Sequence, residues 1–153
     1  MDSPKKSDSW WEAIKFAAIL IVIIIPFRMY IAQPFIVHGS SMDDTFKEND
    51  YLIIDEASYL FREPERGEVI VFKNPVNKSQ YFIKRVIGLP DETVSIRNGQ
   101  TTIITKDGQR LKLQENYLGS ENNTNTYRQL GSNEYFAMGD NRQVSWDSRF
   151  WGA

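Results

Sequence analysis

Gly39-Ser40-Ser41-Met42 and Lys84 carry the side chains that could do chemistry together. A serine hydroxyl is a poor nucleophile at neutral pH. It needs a base within hydrogen-bond reach and a donor for the oxyanion that develops. A lysine can be that base only when uncharged, and burial can lower its pKa of ~10.4 by up to ~3–5. Lys84 lies between Tyr81-Phe82-Ile83 and Arg85-Val86-Ile87, where strand alternation could turn it inward. Both signals have plainer readings. Serines after a glycine form turns and helix caps, and strand lysines ordinarily face solvent. The single histidine, His38, sits three residues before Ser41, a poor placement for a triad base, and reads as an exposed or packing side chain.

Composition narrows the chemistry further. The chain has no cysteine, so disulfides, thiol nucleophiles and cysteine-ligated metals are excluded. A formal net charge of -2 makes no electrostatic case for nucleic acid. At 153 residues the chain reads as one domain, less whatever length a membrane takes.

Three stretches must position these residues. Residues 1–9 form a short polar tail, with Lys5 and Lys6 set against Asp2 and Asp8. Residues 10–32 read as a transmembrane anchor. Its uninterrupted apolar run, Phe16 to Phe27, is about a dozen residues against the ~20 that a bilayer takes. Extending it to Ala13–Ala32 admits Lys15 and Arg28 near the ends, where long cations snorkel. Trp10, Trp11 and Tyr30 suit the interfaces, and Pro26 would kink or end the helix. Tyr30-Ile31-Ala32 puts a large ring where a signal-peptide cleavage site needs a small residue.

Residues 33–153 change to strand patterning. Apolar or alternating runs occur at Phe35–Val37, Tyr51–Ile54, Glu68–Phe72, Tyr81–Ile87, Thr93–Ile96, Thr101–Thr105, Arg110–Leu113 and Glu134–Met138. Asn98-Gly99 and Asp107-Gly108 are hairpin signals, and Gly119 to Asn125 reads as a surface loop. The expectation is a mainly β catalytic domain, an antiparallel sheet that curls or closes.

Four segments resemble bacterial type I signal peptidases, the membrane-anchored serine endopeptidases that remove signal peptides from exported proteins. Gly39-Ser40-Ser41-Met42-Asp43-Asp44-Thr45-Phe46 is similar to the family's serine box. Asn49-Asp50-Tyr51-Leu52-Ile53-Ile54-Asp55 resembles the strand after it. Tyr81-Phe82-Ile83-Lys84-Arg85-Val86-Ile87-Gly88-Leu89-Pro90 resembles the lysine box. Gly139-Asp140-Asn141-Arg142, Ser145 and Asp147-Ser148-Arg149 resemble the closing box.

The resemblance implies a Ser-Lys dyad, with Ser41 as nucleophile and Lys84 as general base. It implies an oxyanion site near Gly39, Ser40 and the Ser41 amide, and a hydrogen bond from Ser145 that orients Lys84. Arg85, Asp140, Asp147 and Arg149 would form structural ion pairs. Phe35, Val37, Met42, Phe46, Phe82 and Ile83 would line shallow substrate pockets, with core packing as the alternative for each. The expected partners are preprotein signal peptides and membrane lipid, with no cofactor, metal or nucleic acid. The expected place is the cell membrane, crossed once, with the catalytic domain on the extracytoplasmic face.

Two positions depart from the family pattern, and a third feature concerns the end of the chain. Asp44 stands where the family usually has proline, and Asp91-Glu92 where it has glycine and an acid. Ala153 follows the closing box directly, where a final strand would be expected. Two other readings share the fold: a membrane-tethered module with weak or no catalysis, and a self-cleaving repressor-type Ser-Lys protease. The latter calls for a DNA-binding domain and a scissile loop, and neither is visible in the sequence.

Overall fold

The computed structural model describes residues 9–30, 33–119 and 124–153. Most of the tail expected at 1–9, and residues 120–123 of the expected surface loop, lie outside these. The chain forms two compact units, residues 1–35 with 53–62 and residues 36–52 with 63–153.

The first unit contains α1 (Ser9–Tyr30), where the anchor was expected, and a single 3-10 turn at Ser58–Leu60. Nothing polar interrupts α1 from Phe16 to Ile25, and large apolar side chains are exposed all round it. Even so, among the described residues no helix is long and apolar enough to cross a membrane. Glu12 and Lys15 stand in the opening turns, so the apolar run begins only at Phe16.

Strands β1 (Gln33–Ile36) and β2 (Tyr51–Ile54) make a two-stranded sheet. The second unit holds the remaining sheets. Strands β3 (Val69–Lys73), β4 (Tyr81–Gly88) and β9 (Phe136–Met138) pair in the order β3-β4-β9. The other sheet runs β7-β6-β5-β8, from β5 (Thr93–Arg97), β6 (Gln100–Ile104), β7 (Arg110–Lys112) and β8 (Thr126–Gln129). All pairings in these two sheets are antiparallel. The Asn98-Gly99 hairpin forms as expected, with Arg97 opposite Gln100.

The expected closed sheet is not found. Closure needs every strand to have two partners, whereas β3, β9, β7 and β8 each have one among the described residues. The strand expected over 134–138 forms as β9, at the edge of its sheet. Its backbone is covered instead by the short helix α2 (Ser148–Trp151), whose Ser148 Oγ accepts from Ala137 N at 3.1 Å.

The core lies where the two sheets face each other. Alternation on β5 and β6 turns Val94, Ile96 and Ile103 inward to meet Ile87, Leu130, Phe136 and Met138. At Gly88 the β4–β9 register shifts. A Cβ there would sit 2.5 Å from Val94 and 2.8 Å from Leu130, so only glycine lets the strand leave one sheet and feed the other.

Candidate active site

Strand β4 delivers Lys84 and a tight turn delivers Ser41. On β4 the pattern is half-buried outside and fully buried toward its end, and Lys84 is only 3% exposed. Its Nζ donates to Ser41 Oγ at 2.7 Å and to Ile83 O at 3.0 Å, and lies 5.2 Å from the centre of the Phe82 ring. Burial pushes the amine down from the ordinary 10.5 to about 8, against the opposing pull of the Asp147 and Asp140 carboxylates. An amine uncharged just above neutrality, in contact with a hydroxyl, can take its proton.

Ser41 belongs to a turn closed by Asp43 N to Ser40 O at 3.2 Å and Phe46 N to Met42 O at 2.8 Å. The turn's base is held by Val37 N to Asp50 O at 3.0 Å and Asn49 N to Val37 O at 2.9 Å. The Ser41 carbonyl accepts from Asn141 N at 3.1 Å. Gly139 is needed for this approach, since a Cβ there would lie 2.4 Å from the Ser41 carbonyl oxygen and 2.3 Å from Ser145 Oγ. Among the described residues the Ser41 amide donates to nothing. Gly39 and Ser40 beside it are exposed.

Buried ion pairs lie behind Ser41 and Lys84. Asp140, fully buried, takes Arg85 Nε at 2.9 Å and Nη2 at 2.6 Å. Asp147, equally buried, takes Arg149 Nε at 2.7 Å and Nη2 at 2.8 Å, and caps α2 by accepting from Arg149 N. Charges so far from water persist only when paired.

Sequence reasoning missed a third pair, Arg142–Glu115, whose side chains are 0% and 7% exposed. It also missed Tyr117, which donates to Glu115 at 2.8 Å and lies under the Arg85 guanidinium at 4.2 Å. Burial, then the Glu115 carboxylate, holds the Tyr117 phenol above its ordinary pKa. The string Gln114-Glu115-Asn116-Tyr117 reads as polar loop, and only the fold reveals what it meets.

Two expectations are corrected. Ser145 Oγ is buried but has no hydrogen-bond partner among the described residues, so the bond meant to orient Lys84 is not made. The closing segment sets this hydroxyl against the Gly139 backbone, while Lys84 Nζ is engaged by Ser41 and Ile83. Met42, read as lining a substrate pocket, is 1% exposed and packs as core.

Val37 is likewise buried, whereas Phe46, Phe82 and Ile83 are half-buried. Phe35 belongs to the first unit. Next to Phe82 the structure adds an aromatic ledge. Trp151 stacks on Phe82 at 5.3 Å and Trp146 on Phe150 at 4.7 Å, with Trp146 and Phe150 largely exposed.

The family described as signal peptidase, peptidase S26, matches residues 10–153. The chain is 36% identical to a signal peptidase I of Leptolyngbya laminosa, over 97% of this chain and 75% of that protein. It is 33% identical to a signal peptidase I of Bacillus amyloliquefaciens, over 95% of this chain and 78% of that one. A solved signal peptidase I from Enterococcus faecalis superposes with a TM-score of 0.50 at 32% identity, covering 60% of this chain and 88% of that structure. With the match running from Trp10 to the last residue, the chain belongs to the signal peptidase family, peptidase S26, and is a serine endopeptidase of the hydrolase class.

Proposed function

We propose that the chain cleaves N-terminal signal peptides from exported preproteins by a Ser41–Lys84 dyad. The observation that carries this is the 2.7 Å contact between Lys84 Nζ and Ser41 Oγ in a buried setting that lowers the amine's pKa to about 8. Uncharged Lys84 takes the Ser41 proton as Oγ attacks the scissile carbonyl. The ammonium then returns the proton to the leaving amine, and water repeats the cycle on the acyl-enzyme. The unengaged Ser41 amide is the donor available to the oxyanion. Half-buried Phe46, Phe82 and Ile83 suit shallow contacts with small substrate side chains.

Membrane tethering by α1 belongs to the same proposal. Its support is a helix with large apolar side chains exposed on every side, which water disfavours. The catalytic unit would then stand on the outer face. Because the chain has no cysteine, residues introduced at Ser3 and Ser95 can be labelled cleanly with an impermeant thiol reagent in intact cells. Labelling at position 95 alone supports this topology, and labelling at position 3 alone inverts it.

The deciding experiment is preprotein cleavage in detergent by Ser41→Ala, Lys84→Ala, the double variant and Lys84→Arg. All four should be inactive while still folded, and the double should be no worse than either single, since the two groups act as a unit. Arginine fails because guanidinium keeps its proton. Cleavage at the parent rate by any of them would remove the mechanism.

A further inference from the structure

Thr45 stands out near Ser41 because its hydroxyl leaves its own turn. The local bonds from Asp43, Thr45 and Phe46 back to Ser40 and Met42 fix the turn's shape. They do not fix where that turn stands relative to β4. Besides the Lys84 Nζ bond to Ser41 Oγ itself, two longer contacts do. One is Asn141 N to the Ser41 carbonyl. The other runs from Thr45 Oγ1, which donates to Asp140 Oδ2 at 2.5 Å across 95 residues of sequence. Asp140 is in turn gripped twice by Arg85, whose Nη2 also reaches Thr45 Oγ1 at 3.4 Å. Arg85 is the neighbour of Lys84 on β4 and is further fixed by donating to Gly67 O at 2.7 Å. A continuous chain of bonds therefore joins the Ser41 turn, through a buried carboxylate, to the strand that carries Lys84.

We propose that Thr45 is a positioning residue: its hydroxyl ties the Ser41 turn to the Asp140–Arg85 pair and so sets Ser41 Oγ against Lys84 Nζ. The inference rests on reading Ser41 and Lys84 as the reacting pair. Thr45 is exposed, so its methyl group adds little to packing, and what it contributes inward is the hydroxyl. Without that bond the turn keeps its local shape but can swing on its base at Val37 and Asn49. A shift of 1 Å at a reacting atom can cost ~10²-fold in rate.

The test compares Thr45→Val, which keeps the shape and loses the hydroxyl, with Thr45→Ser, which keeps the hydroxyl. Both are made in the full chain and assayed on a preprotein in detergent. Thr45→Val should lower kcat by roughly 10- to 100-fold. It should leave KM unchanged, because the substrate contacts are untouched, and lower the melting temperature only modestly, since Asp140 keeps both bonds from Arg85. Thr45→Ser should recover most of the rate. An unchanged kcat in Thr45→Val overturns the inference. So does a Thr45→Ser as slow as Thr45→Val, or a Thr45→Val that fails to fold, which would make the hydroxyl a structural need. Ser41→Ala separates the two levels. If it still cleaves, the dyad falls and the inference with it. If it is inactive while Thr45→Val is fully active, the inference alone falls.

Discussion

Lys84 burdens the folded state at every pH where it is charged. Its amine titrates at about 8 in the fold against the ordinary 10.5, chiefly because burial penalises the charged form. The unfolded chain therefore holds the proton more tightly than the native one between those values, and stability rises with pH across that window. Below about pH 8 the penalty is present in full; above 10.5 it is gone. The gap corresponds to about 3 kcal/mol. Lys84→Met should therefore be inactive yet more stable than the parent at pH 7, with the advantage shrinking toward pH 10.5. Chemical denaturation at both pH values checks it, and a less stable Lys84→Met at pH 7 would show that the contact with Ser41 outweighs the desolvation of the amine. On the proposed mechanism activity carries the same signature: with Lys84 as the base, kcat/KM should rise through about pH 8 and then level off. A profile highest near pH 5 would point to carboxylate chemistry instead.

The turn that carries Ser41 contains Asp44 at φ +83°, a left-handed conformation that proline, fixed near -65°, cannot adopt. The departure from the family pattern is thus a different backbone solution, not a missing ring. Asp44→Pro should lower both melting temperature and kcat by forcing the turn open. Asp44→Gly should be neutral to modestly stabilising, because relief of the left-handed strain, about 1–2 kcal/mol, is only partly offset by greater freedom in the unfolded chain, about 0.4–1 kcal/mol. A more stable and faster Asp44→Pro would mean that the turn has a second conformation. Asp91, where the pattern has glycine, likewise sits at φ +64°, a conformation that aspartate tolerates among the non-glycine residues. At this scale the sequence was legible wherever one face is buried: the alternation of β5 and β6 marks Val94, Ile96 and Ile103 correctly. It was silent on β8, Thr126–Gln129, whose residues are half-buried or exposed and carry no apolar alternation. It was silent also on α2, four residues whose helix rests on the Asp147 cap. Ser41 and Lys84 were singled out because their strings are distinctive. The orphaned Ser145 hydroxyl could not, because a missing bond depends on where two distant backbones come to rest.

Across the whole catalytic unit, packing and charge have separate territories. The apolar core of Ile87, Val94, Ile96, Ile103, Leu130, Phe136 and Met138 holds the two sheets together. The segments that meet at Ser41 are held by buried ions: Arg85–Asp140, Arg149–Asp147 and Arg142–Glu115. The last pair is the most telling because it joins the loop after β7 to the closing segment, and Arg142 Nε also donates to Gly139 O at 3.0 Å. Breaking a buried pair from one side strands a charge and costs ~3–5 kcal/mol, whereas apolar replacement of both partners is often neutral. Glu115→Leu alone should therefore cost a large part of a stability of ~5–15 kcal/mol, and Arg142→Met alone a similar amount. The double variant should be no less stable than the worse single, since neither charge is then left unpaired. Melting curves for the parent, both singles and the double close the cycle. Losses that simply add would mean that the two side chains act independently and that this end of the molecule is held by something other than their attraction.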